Sequence, residues 1–180
     1  MSADVSSVIA ATARWLVRAY PPTGGAMSAA LAEAQARQAA SVAAWLRYPT
    51  ALDAALAALT GAGGSARLDR LVGLGGPRTA RGEDAGAAGA EAWRTWVDEV
   101  VASWAACLLA SPELAAAAVA ALSDTEHAPD APGRFRRLTD PDEHDRRAAP
   151  LLRHPDLVAE VADLHRAPLL TRLHSDPVPG

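Results

Sequence analysis

The sequence predicts an all-α protein, an irregular bundle of about six to eight helices in two halves. Three observations lead there. Alanine dominates a hydrophobic share of 50%, and alanine is the strongest helix former because it loses no side-chain entropy on folding. β-Branched residues are few and Ile9 is the single isoleucine, so material for a sheet is thin. Proline and glycine, 13 of each, cluster between apolar runs of helical period,.

The elements follow in order. Val5, Val8, Ile9, Thr12, Leu16 and Ala19 share one face of a helix over 4–20, which Pro21-Pro22 ends,. A second helix over 28–47 carries Leu31, Gln35, Gln38, Val42, Trp45 and Leu46. Its two glutamines leave the stripe half polar, and Ala34 and Ala39 offer an alternative close contact. A third starts at Pro49, the favoured first-turn position of proline. It has Leu52, Leu56 and Leu59 as its apolar face and ends at Gly61. A short helix over 66–72 presents Leu68, Leu71 and Val72. Residues 75–89 interleave five glycines with charge and have little to bury, so they read as a linker between an N-terminal half, 1–74, and a C-terminal half, 90–174,.

The fifth helix, 90–110, repeats Trp93, Trp96, Val97, Val100, Val101, Trp104 and Leu108 at threes and fours,. Ser111-Pro112-Glu113 combines a cap, a first-turn proline and an acid at the positive end of a sixth helix reaching Leu122,. After a polar loop come 134–138, a charged helix over 141–148, and a last helix over 155–166 with Leu157, Val161 and Leu164 inward. Residues 175–180 read as a flexible tail,.

Charge and composition narrow the function classes. All 17 basic residues are arginine, yet the net charge is −4 with a pI near 5.7. No basic field exists to attract nucleic acid. The apolar stretch 100–122 is broken by Pro112 and Glu113 and is mostly alanine, which argues against a membrane span,. The single cysteine, Cys107, and the polar N-terminal Met1-Ser2-Ala3-Asp4 suit a cytoplasmic protein,. Cys107 sits among apolar residues as a buried filler, and no nucleophile, phosphate-loop or dinucleotide motif is present,.

Two constellations carry the candidate chemistry. Trp93, Trp96, Val100 and Trp104 on one helix form either a partner surface or the lining of a small-molecule pocket, unless they fill the core,. All five histidines lie in the last third among acids. Of these, His127, His144, Asp142 and Glu143 are candidate ligands for a divalent metal, the one cofactor considered,.

The segment 96–103, Trp-Val-Asp-Glu-Val-Val-Ala-Ser, resembles the second motif of gluzincin metallopeptidases of the heat-shock membrane-protease kind. A glutamate on that family's helix supplies the third zinc ligand. The resemblance extends over 93–138, with His127-Ala128-Pro129 and then Arg134 in order, and it places Glu99 at the ligand position. No H-E-x-x-H occurs, and Ser103 stands where the family has aspartate. The resemblance thus implies a degenerate or metal-binding relative. With no complete catalytic set, the leading expectation is a non-catalytic helical interaction or scaffold module. It would engage a protein partner or a second copy, without nucleic acid or membrane.

Overall fold

A computed structural model describes residues 5–60, 63–74, 96–127 and 131–174. Among these residues there are helices and no strand, as the composition predicts. In chain order they are α1 (Ser6–Ala19), α2 (Gly25–Arg47), α3 (Ala51–Thr60), α4 (Ser65–Leu71), α5 (Glu99–Ala110), α6 (Pro112–Ala121), α7 (Ala131–Arg134), α8 (Arg136–Thr139), α9 (Glu143–Ala148), α10 (Pro155–Asp163) and α11 (Arg166–His174). Single 3-10 turns follow α6 and α9, at Leu122–Asp124 and Pro150–Arg153. The helices outnumber the six to eight expected because the C-terminal third is divided into short pieces, at Phe135 between α7 and α8 and at Leu164-His165 between α10 and α11. The linker 75–89 and the tail 175–180 lie outside the described residues.

The central element is α2, packed between α1 and α5 and touching α9. Its alanines explain how. Ala32, Ala36, Ala39, Ala40, Ala43 and Ala44 are all fully buried, and side chains this small let neighbouring backbones approach on several sides. The alternative alanine contact therefore holds at Ala39, while Ala34 is only half-buried. Gln35 is buried without penalty because its amide nitrogen donates to the Asp145 backbone oxygen at 2.6 Å and to Oδ1 at 3.2 Å,. Helices on both sides of the expected linker contribute to one core, from Trp15, Leu16 and Leu46 to Leu108, Leu151 and Leu169.

Helix boundaries follow local caps. The Asp98 side chain accepts from the N–H groups of Val100 and Val101, so α5 begins at Glu99 and not near residue 90 as expected. Trp96 and Val97 precede the cap. The Ser111 hydroxyl accepts from Leu114 N–H, and Pro112 opens α6, as the sequence predicts,. The expected last helix is α10, and a further helix not expected from the sequence, α11, follows it through Leu164 and His165.

The third helix departs most from expectation. It begins at Ala51, not Pro49, because Thr50 caps it reciprocally. Asp53 N–H donates to the Thr50 hydroxyl, while the Thr50 N–H and hydroxyl donate to the Asp53 carboxylate,. The Ala51 N–H donates to Glu126. Its leucine face points outward. At 3.6 residues per turn, buried Ala54 lies opposite Leu52, Leu56 and Leu59, which are 70%, 51% and 82% exposed.

Candidate functional site

The outward row of α3 is an apolar surface built by a well-capped helix. Leu52, Leu56 and Leu59 are spaced by four and three residues, which aligns them in one seam,. Asp53 is the only charged residue of the helix, and its carboxylate is occupied at the cap. A cleft of about 720 Å³ adjoins the N-terminal end of α3, bordered by Pro49, Asp53, Trp104, Ala167, Pro168 and Arg172 among others. The acids Asp53 and Glu126 mark this end of the helix. The arginines Arg67 and Arg70 follow its other end, in α4.

The described members of the tryptophan constellation lie against the core. Trp93 lies outside the described residues. Trp96 and Val100 are half-buried against the core, and Trp104 is only 5% exposed. The Trp104 indole N–H donates to the His165 backbone oxygen at 2.9 Å, tying α5 to the turn before α11. Trp104 also forms part of the wall of the cleft beside α3.

The metal candidates occupy separate settings. The His127 ring stacks on Trp45 at 4.9 Å, and its Nε2 lies 3.2 Å from the Tyr48 backbone oxygen. Phe135 meets the same indole edge-on, with the Arg134 guanidinium over it at 5.4 Å. Asp142 instead caps α9, accepting from Asp145 N–H at 2.8 Å. That hydrogen bond, the largest influence, holds its carboxyl below the ordinary carboxylate range. Glu143 pairs with Arg146 and Arg147, and exposed His144 borders a groove on the far side of α2. Among the described residues, no three His, Cys, Asp or Glu side chains gather into a group able to hold a metal. No described helix is long and apolar enough to cross a membrane.

Glu99, the residue singled out by the gluzincin resemblance, sits in a polar knot. Its Oε1 lies 2.8 Å from His165 Nε2 and 3.2 Å from the Arg67 guanidinium. Nearby, the Ser103 hydroxyl accepts from His165 N–H and donates to the Ala162 backbone oxygen. The knot joins α4, α5 and the α10–α11 turn. Comparison with family models, curated proteins and solved structures finds no match for this chain.

The fold holds two weakly acidic side chains, half-buried Tyr48 and buried Cys107, more firmly in their neutral forms. Burial first, then the Asp98 carboxylate that accepts its hydroxyl, raises the Tyr48 phenol above its ordinary value against the lowering effect of Arg47. Burial likewise pushes the Cys107 thiol up to about 11, with a smaller lowering by Arg166 and a raising by Asp163. A raised acid favours the neutral form in the fold. Its contribution to stability is complete below the ordinary value of 9.0 and declines as pH climbs toward 11,. Cys107 should therefore resist Ellman's reagent at pH 8 in the native protein and react only on unfolding. Labelling at the speed of an open thiol would contradict this burial.

Proposed function

We propose that the protein is a non-catalytic helical interaction module, and that α3 docks on α3 of a second copy of the chain in an antiparallel, two-fold arrangement. The outward leucine row carries this reading, since contiguous exposed apolar residues on one helix mark a partner surface. Three features favour a second copy as the occupant. The seam carries no charge to repel its own image. Antiparallel pairing opposes the helix dipoles and brings the acidic end, Asp53 and Glu126, toward the basic end, Arg67 and Arg70, of the other chain. It also carries the second copy's Leu59 toward the mouth of the cleft at Pro49 and Asp53, an isologous contact made twice. A cytoplasmic setting belongs to the same reading and is supported by the lone, buried Cys107.

Sedimentation velocity tests it. The unaltered chain should form a dimer at micromolar concentration. Leu56→Glu, which places a charge in the seam, should weaken it by roughly 100-fold or more, a hot-spot loss. The monomer should stay folded, because an exposed substitution changes stability by only about 0.5 kcal/mol. A chain that remains monomeric well above those concentrations, or a dimer indifferent to Leu56→Glu, would remove the reading. Leu56→Glu abolishing capture of an unrelated protein by a monomeric chain would replace the second copy with that partner.

A further inference from the structure

A second surface lies at the opposite end of α2, on the order of 30 Å from α3 by helix rise. Here the first turn of α2 faces α9 and the 3-10 turn after it across a groove of about 730 Å³, within the size range of small-molecule sites. Its apolar lining is Met27, Leu31 and Leu152. Met27 is 72% exposed and Leu152 41%, so both side chains are open to solvent within it. The rim is cationic, formed by Arg146, Arg147 and Arg153, with His144 beside them.

The charges of this rim do not cancel. Arg146 and Arg147 share a single acid, Glu143, at 4.0 and 3.4 Å. Arg153 has no carboxylate partner among the described residues. Its guanidinium donates to the Thr23 hydroxyl at 2.6 Å, to the Ser28 hydroxyl at 3.3 Å, and to the Arg147 backbone oxygen. These neutral acceptors fix its direction without neutralising it. Among the described residues, three guanidinium groups thus stand against one carboxylate, in a chain whose net charge is −4. A guanidinium held in place over apolar side chains suits an anionic head with an aliphatic body, because the fork geometry matches carboxylate and phosphate.

We propose that this groove binds a small anionic amphiphile, a carboxylate or phosphate ester bearing a short aliphatic chain. The head meets Arg153 and Arg147, and the chain lies on Met27, Leu31 and Leu152. The site is separate from α3 and does not depend on the dimer.

The chain contains two methionines, Met1 and Met27, so methyl-¹³C-methionine labelling places a reporter in the groove and a control at the N-terminus. Titration with octanoate or octyl phosphate, below their aggregation limits, should shift the Met27 methyl saturably and leave Met1 in place. Octyltrimethylammonium should not shift it, and acetate and inorganic phosphate should bind at least ~10-fold more weakly for want of the chain. Arg153→Gln should weaken octanoate binding by roughly 10-fold or more. The exposed pair Arg146→Gln and Arg147→Gln should do the same with the melting temperature unchanged, which separates loss of charge from loss of structure. Equal response to the cationic amphiphile, or equal affinity in all the arginine variants, would overturn the proposal. So would inorganic phosphate binding as tightly as octyl phosphate. Sedimentation of the protein with phosphatidylglycerol vesicles, without any Met27 response to the free ligands, would overturn it in favour of a membrane surface.

Discussion

Trp104→Ala should lower the unfolding free energy by about 3–5 kcal/mol, the cost of emptying a large aromatic site in a close-packed interior. The residue is 5% exposed, and its indole N–H is the donor that holds the His165 carbonyl. Truncation removes both the packing of α5 against α11 and this hydrogen bond. Trp104→Phe separates the two contributions, because it keeps most of the ring and loses the donor; about 1 kcal/mol is expected for that change. Leu56→Ala on α3 is the contrasting case, since its side chain is half exposed and its removal should leave monomer stability within about 0.5 kcal/mol. Urea unfolding at dilute protein concentration measures all three. If Trp104→Ala cost less than about 1 kcal/mol while abolishing association, the tryptophan would be a surface contact after all and the core assignment would be wrong.

That contrast shows which parts of the molecule the sequence makes legible. Periodicity identifies helices because it records which residues share a face, and for α1, α5 and α6 the shared face is buried. It does not say what the face meets. In α3 the leucines are in register, yet the helix contacts its own core through Ala54, and nothing in a run of alanines and leucines marks the small residue as the inward one. The start of α3 was readable from Thr50 and Asp53, a reciprocal cap three residues apart, but Pro49 offers a competing start two residues earlier. At α5 the apolar repeat continues upstream of Asp98, so pattern alone overruns the cap. The histidine-rich third is hard to read for a different reason. His127, His144 and His165 are close in composition but are carried by separate short elements, and one stacks on Trp45, one borders the cationic groove and one pairs with Glu99. The groove itself joins Thr23 and Ser28 to Arg153, a meeting of distant segments that no local spacing announces.

Among the described glycines, Gly64→Ala should be the most damaging substitution, at about 2–5 kcal/mol,. Two causes combine. Gly64 adopts φ +66, a left-handed conformation that costs a residue with a Cβ about 1–2 kcal/mol. That conformation is needed, because Gly64 begins α4 and its carbonyl accepts from the N–H groups of Arg67 and Leu68. A Cβ there would also lie 2.4 Å from Glu99 Oε2 and 2.7 Å from Glu99 Cβ. The second of these is not a flexible tip, so the glutamate must move as a whole. Moving it loosens its contacts with Arg67 and His165 and unties α4 from α5 and the α10–α11 turn, an overpacking cost of about 1–3 kcal/mol. The neighbouring Gly63 has open space around its position and no left-handed φ, so Gly63→Ala should be close to neutral. A double-mutant cycle apportions the effect at Gly64. In a Glu99→Gly background, which removes Cβ as well as the carboxylate, the steric cost is relieved, and Gly64→Ala should retain only the backbone cost of about 1–2 kcal/mol,. Full additivity of the two substitutions would show that Gly64 and Glu99 do not touch, and the polar knot would then have to be drawn without α4.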